Sequence, residues 1–276
     1  SHPQRKSFFQ RKMIFLRNRA SRLTAHVARL IFGKNPRIGV WHIGGEKYSS
    51  DDEEAWLGLK GKFKGKKCLI VGTAPSTRTA NVACLSSDIH VMALNRGREI
   101  SEVVRRKVDS IVMADPSAMS EYGAESVVCA DHVFLAREAA RTSGLRPEKA
   151  LYFDQYLFPR MDDGMFQFSL DKPLYQSRTV SHPALQIAVW MGFEKIGFLG
   201  VDFSFDQDEP HFYKTEGTEL LRSRMLSTRK ERMMINGLKS ARTILDAEGV
   251  RIVNVGDPHG KNPFPFEDLE TFIDAE

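Results

Sequence analysis

Acidic side chains are missing from the start of this chain: none occurs before Glu46. Ten basic residues fall in that stretch, Arg5, Lys6, Arg11, Lys12, Arg17, Arg19, Arg22, Arg29, Lys34 and Arg37, against a net charge of +5 for all 276 residues. The stretch carries +10 and the remainder −5, so the basic pI of about 9.1 belongs to an arm and not to the body. Cysteine is scarce as well. Cys68, Cys84 and Cys129 are odd in number and form no Cys-x-x-Cys pair. That argues against a disulfide framework and a cysteine zinc site, and a reducing cytoplasm is the expected compartment. Cys68 lies in an apolar run and reads as a small buried hydrophobe. No apolar run reaches the roughly 18 residues of a membrane-spanning helix. Basic residues break each apolar run near the start, so a signal peptide is not expected. With 42% hydrophobic and 27% charged residues, the chain has enough apolar material for one large domain or two small ones.

What is present first is a helical stripe within residues 7–32: Phe9, Met13, Leu16, Ala20, Leu23, Val27 and Leu30. The alternating spacing of four and three puts them on one face, with basic flanks. Such a helix over 1–34 suits an anionic membrane surface. It equally suits packing on the domain, or pairing with a second copy as a homo-oligomer, with its arginines solvated. Nucleic acid is not an expected partner, because the rest of the chain offers no basic surface. Gly33 and Pro36 end the helix. Residues 35–65 read as a connector with an acidic patch, Asp51–Glu54, and a lysine-rich approach to the first strand.

From residue 66 to 276 strands and helices alternate. Strands are expected at Lys67–Gly72, Ile89–Leu94, Ser110–Met113, Val127–Leu135, Ala150–Phe153, Lys195–Val201 and Arg251–Val255, with helices at Val180–Met191 and Leu220–Glu248. The alternation predicts an α/β fold: a Rossmann-like, mostly parallel sheet with helices on both faces. Residues 154–177, rich in Phe, Tyr, Asp and Met, have no period and are expected to form a lid.

Ligands of such sheets bind beyond the carboxyl ends of the strands, and polar residues gather there. Gly72-Thr73-Ala74-Pro75-Ser76 follows the first strand. It is either a turn that lets backbone N–H groups hold a phosphate, or a plain strand-to-helix connection. Asn95, with Arg96, ends the second strand and can read a base or ribose edge or make a turn. Asp115, in Asp115-Pro116-Ser117, ends the third and can line the cleft or cap a helix. Arg178, Ser181 and His182 open an apolar helix. Arg178 can clamp a phosphate or carboxylate, and Ser181 can contact a ligand or cap the helix. Asp202 ends the strand before Asp206 and Asp208; these carboxylates either bind a metal or orient neighbours. His211 is the leading general base, being a neutral-range titrating group in a polar loop, and His182 is second.

This order of elements resembles the bacterial lipooligosaccharide sialyltransferases: strand–Gly-x-x-Pro-Ser, strand–Asn, strand–x-Pro-Ser, Arg-x-x-Ser–helix, then Gly-Val-Asp-Phe and a downstream His–aromatic pair. It also resembles a wider group described as pterin-pyrophosphokinase-like or motility-accessory-factor proteins. The similarity covers residues 66–268. The first resemblance implies a Rossmann-like enzyme of cell-surface glycan (lipopolysaccharide) assembly: an inverting glycosyltransferase that moves a sialic or other ulosonic acid from a CMP-sugar to a glycan or glycolipid acceptor. It implies no metal or other cofactor, and a cytoplasmic enzyme lying peripherally on the inner membrane. In it Gly72, Thr73, Ala74, Pro75, Ser76 and Asn95 hold the CMP part, Asp115 lies near the reacting centre, and Arg178 and Ser181 contact the donor. Asp202 organises the site and His211 deprotonates the acceptor. The chain departs from the pattern in reading Gly-Thr-Ala-Pro-Ser for Gly-Asn-Gly-Pro-Ser, His182 for a glycine, and Ser204 for the tyrosine that helps the phosphate leave, a role left to Tyr213. The second resemblance implies a magnesium-dependent pyrophosphoryl transferase using Asp202, Asp206 and Asp208, or a non-catalytic nucleotide-binding accessory protein.

Overall fold

The computed structural model describes residues 50–82, 85–156, 166–170, 172–203, 211–213 and 228–274. The expected helix over 1–34 lies outside these residues, as do Ser204, Asp206, Asp208 and, of the expected lid, residues 157–165 and 171. The short apolar runs become strands β1 (Lys67–Val71), β2 (His90–Leu94), β3 (Val108–Met113), β4 (Ala130–Ala136), β5 (Ala150–Phe153), β6 (Lys195–Leu199) and β7 (Arg251–Asn254). Among the described residues they form one 7-stranded sheet of order β5-β4-β3-β2-β1-β6-β7, with every neighbouring pair parallel. The sheet is covered on both faces, which is why its central strands are uninterrupted apolar runs rather than alternating ones: every residue of β2 and β6 is buried.

The helices are α1 (Ser50–Leu59), α2 (Ser76–Thr79), α3 (Gly97–Val104), α4 (Pro116–Val127), α5 (Arg137–Ser143), α6 (Ser181–Trp190), α7 (Thr228–Ala247) and α8 (Leu269–Asp274). Helix α1 falls where a connector was expected. Its Trp56 and Leu59 are buried. The Trp56 ring stacks on Phe134 of β4 at 5.3 Å, its Nε1 donates to the Tyr152 carbonyl of β5, and its own carbonyl accepts from Trp190 Nε1 of α6. One tryptophan thus ties α1 to three elements, while the acidic run Asp51–Glu54 conceals the inward side from a composition reading. Helix α6 is buried at every position except Val189, which explains its nearly all-apolar sequence.

The sheet order fixes where a ligand can go. From β1 the chain steps outward through β2, β3, β4 and β5, then returns to the other side of β1 as β6. The connections after β1 and β6 therefore leave in opposite directions, and a crevice opens between their carboxyl ends.

Candidate active site

A cleft of about 370 Å³ occupies that crevice. It is lined by Gly72–Ala74 after β1, Asn95 after β2, Asp115 after β3 and Gly200–Phe203 after β6, with Gln176 and Arg178–Ser181 leading into α6, and with His211 and Met234. The polar strand ends read from sequence are thus brought to one place. Pro75, Ser76, His182 and Tyr213 are not among the lining residues.

The β1 loop owes its shape to a close approach between two backbones. A Cβ on Gly72 would lie 2.2 Å from the Gly200 carbonyl oxygen, and one on Gly200 would lie 1.9 Å from Thr77 Oγ1. Gly200 also has a φ of +68°, a conformation that costs a glycine little. In this seam Gly72 N donates to Leu199 O at 2.7 Å and Ala74 N to Gly200 O at 3.0 Å, while Ser76 N donates to Asp202 Oδ2 at 3.3 Å. Three of the N–H groups of the expected phosphate cradle are thus engaged within the protein, by Leu199, Gly200 and Asp202. Pro75 stands at the N-cap of α2. Thr73 lines the cleft, and its hydroxyl bonds His211.

Asp202 is buried. Its Oδ1 accepts from Ser76 Oγ at 2.7 Å, and Ser76 Oγ in turn accepts from Gly200 N at 3.2 Å. Burial raises its pKa above the ordinary carboxylate value, opposed by the hydrogen bonds from Ser76. Asp202 therefore braces the β1 loop against β6.

His211 is held by that same loop. Thr73 Oγ1 lies 3.0 Å from His211 Nδ1, Phe212 N donates to Thr73 O at 2.9 Å, and Arg78 donates to the Phe212 carbonyl. The imidazole stacks on Tyr213 at 5.2 Å with 8° between planes. Arg96 lies over the other ring neighbours, 4.7 Å from the Tyr213 centroid and 3.4 Å from that of Tyr122, and pairs with Glu99 at 2.8 Å. Tyr213 thus supports His211 from behind rather than lining the cleft.

Asn95 Oδ1 is buried and has no hydrogen-bond partner among the described residues. Asp115 caps α4, its Oδ1 accepting from Ser117 N at 2.6 Å and Ala118 N at 3.2 Å, and it also lines the cleft. At the start of α6 the capping position is Val180, not Ser181; Thr179 Oγ1 accepts from Ser181 N at 3.3 Å and bonds Ser181 Oγ at 2.7 Å. His182 is fully buried, its Nδ1 bonded to Ser177 Oγ at 2.7 Å.

Two features escape a reading by residue type. Asn95, Ser177, Arg178 and Phe203 all have positive φ (64°, 44°, 63° and 56°) and all lie in or beside the cleft. For residues other than glycine that conformation costs about 1–2 kcal/mol each, and such strain gathers at functional sites. The other feature is Gln186 in α6. Its Oε1 accepts from Gln167 N and Tyr175 N, both at 3.1 Å, and its Nε2 donates to Tyr175 O at 2.7 Å and His182 O at 3.0 Å. A lone amide in an apolar helix is the one signal that could have pointed to it; it holds the segment carrying Gln176 against α6.

A family model described as 6-hydroxymethylpterin diphosphokinase MptE-like matches residues 52–208, more than half of the chain. The chain belongs to the MptE-like family. This is the second of the two groups that the order of motifs resembles. Among solved structures, the chain is similar to the sialyltransferase CstII from Campylobacter jejuni in complex with the substrate analogue CMP-3FNeuAc, at 13% identity and a TM-score of 0.45, over 73% of this chain and 86% of that one. It is likewise similar to the monofunctional α-2,3-sialyltransferase Cst-I from Campylobacter jejuni, at 14% identity and a TM-score of 0.46, over 73% and 80%. No curated protein matches the chain in sequence.

Proposed function

We propose that the cleft is the active site of a nucleotide-dependent transferase, and that its leading chemistry is metal-independent, inverting transfer of an ulosonic acid from a CMP-sugar to a glycan hydroxyl. The observation that carries this reading is the Thr73–His211 pair, which puts a held imidazole in the same cleft as the guanidinium of Arg178. In the productive tautomer Nδ1–H donates to Thr73 Oγ1 and Nε2 carries the lone pair. Nε2 takes the proton of the acceptor hydroxyl, whose oxygen attacks the anomeric carbon. The bond from that carbon to the phosphate oxygen breaks, and its electron pair leaves with the CMP phosphate, whose charge Arg178 offsets. Asn95 Oδ1, a buried acceptor, suits a donor N–H or O–H of the nucleoside.

The family description favours a second reading, diphosphate transfer to a pterin hydroxymethyl group with magnesium and ATP. In that reading Asp202 would hold the metal while its carboxylate oxygens also accept from Ser76. Thermal shift separates the readings. Stabilisation by CMP without metal supports the first; stabilisation by ATP only with Mg²⁺ refutes it and supports the second. His211→Ala is expected to keep CMP binding and lose transfer, and near wild-type transfer refutes the assignment of the base. Cytoplasmic, peripheral membrane association rests on the basic stretch 1–34. Its deletion is expected to abolish sedimentation with anionic liposomes while transfer in solution persists; unchanged sedimentation refutes it.

A further inference from the structure

With three N–H groups of the β1 loop engaged by the protein, the guanidinium among the cleft's lining residues becomes the leading partner for a phosphate. Arg178 stands at the centre of a tight turn. Thr179 N donates to Gln176 O at 2.8 Å, and both central residues, Ser177 and Arg178, have positive φ. That is the pattern of a type I′ turn, which ordinarily takes Asn-Gly or Gly-Gly. Neither residue has the freedom of glycine, so the surroundings must impose the conformation. Gln176, Arg178 and Thr179 line the cleft, whereas Ser177 turns inward and is 1% exposed. There its Oγ bonds His182 Nδ1 at 2.7 Å. Gly237 of α7 closes over the pair: a Cβ there would lie 2.0 Å from Ser177 Oγ and 3.4 Å from His182 Nδ1.

The geometry points to Ser177, His182 and Gly237 as a positioning unit that holds the strained turn and so presents Arg178 to the phosphate of the bound nucleotide. This rests on the nucleotide reading above. It moves His182 from second candidate for the general base to control of a residue that meets the nucleotide. The turn sets the direction in which the Arg178 side chain leaves the backbone, and the bidentate geometry that makes an arginine–phosphate pair strong depends on that direction.

The test is a double-mutant cycle on the full chain. Affinities for CMP and for cytidine are measured by calorimetry, with melting temperatures, in wild type, Ser177→Ala, Arg178→Ala and the double variant. Ser177→Ala removes the bond to His182 and keeps the Cβ that disfavours this φ, so the turn loses what holds it. It should weaken CMP about tenfold, the scale of one charge-assisted hydrogen bond, and leave cytidine unchanged. In the Arg178→Ala background it should cost CMP nothing further. Unchanged CMP affinity, or the same loss with and without Arg178, overturns the proposal. Should Ser177→Ala fail to fold, His182→Phe removes the same bond from the other side and keeps a ring of similar size; weakened CMP binding with cytidine unchanged supports the proposal, and unchanged CMP affinity overturns it. ATP and adenosine take the place of CMP and cytidine if wild type binds ATP instead. Binding of neither nucleotide refutes the nucleotide reading itself, an outcome distinct from binding with an additive cycle.

Discussion

Replacing Gln186 by Leu keeps the volume of the side chain and removes four hydrogen bonds at once. His182 O belongs to the helix and keeps the backbone bond expected of its position, so three groups lose a partner: Gln167 N, Tyr175 N and Tyr175 O. Gln167 and Tyr175 are only half-buried, so water reaches part of the site and the lower end of the range for an orphaned group applies, about 1 kcal/mol each. The expected loss is about 3 kcal/mol. With a urea m-value of about 3 kcal/mol/M for a domain of this size, the midpoint should fall by about 1 M. Urea denaturation followed by tryptophan fluorescence measures this directly. Gln186→Glu provides the control, because it keeps an acceptor for the two N–H groups while turning a second carboxylate oxygen toward the Tyr175 and His182 carbonyls. It too should destabilise at neutral pH and recover in part as the carboxyl protonates. A Gln186→Leu midpoint within 0.2 M of wild type, roughly 0.6 kcal/mol on the same m-value, would refute the idea that this amide fastens the crossing segment.

The remaining predictions address the pH response and the cleft seam. Burial lowers the pKa of His90 from 6.5 to about 4. The unfolded chain therefore binds the extra proton first, and stability falls as pH drops from about 6.5 to about 4, by about 3 kcal/mol over the window. His90→Gln should flatten that limb in urea melts across this range, and an unchanged slope would place the effect elsewhere. Gly200→Ala puts a methyl group on Thr77 Oγ1 at a φ of +68° and should cost at least about 3 kcal/mol; a wild-type melting temperature would contradict the close seam. Thr73→Val keeps the shape of the side chain but cuts the bond to His211. CMP affinity should stay near wild type while transfer falls by about tenfold and its pH profile shifts; a fall in CMP affinity with kcat retained would assign Thr73 to the donor instead.

Much of the fold was legible because parallel strands advertise themselves. Cys68–Val71, Val91–Leu94 and Ile196–Leu199 are buried runs without polar interruption, and each is followed by turn-forming residues. The polar strand ends were legible for the same reason, which is why Asn95, Asp115, Asp202 and the β1 loop were found. Their roles were harder. The N–H groups of Gly72 and Ala74 look like a phosphate cradle until β6 is seen beside them, and nothing local says that β6 pairs with β1 across more than a hundred residues. The Thr73–His211 bond spans 138 residues and has no local trace. The turn at Ser177 and Arg178 was invisible because its conformation contradicts its residues: Ser-Arg gives no hint of two positive φ angles. Helix α1 was hidden by its acidic start, where only Trp56 and Leu59 report the inward face.

The position of β6 also bears on how the chain is made. Strands β1 to β5 are neighbours in sequence as well as in the sheet, so they can assemble as they leave the ribosome. The far edge of β1, however, faces β6, and β6 begins at Lys195. Throughout the synthesis of the intervening segment, an apolar strand keeps one row of N–H and C=O groups without its native neighbour, an edge open to pairing with another nascent chain. The strand that completes the cleft is thus also the one that closes the most hazardous edge of the half-made protein.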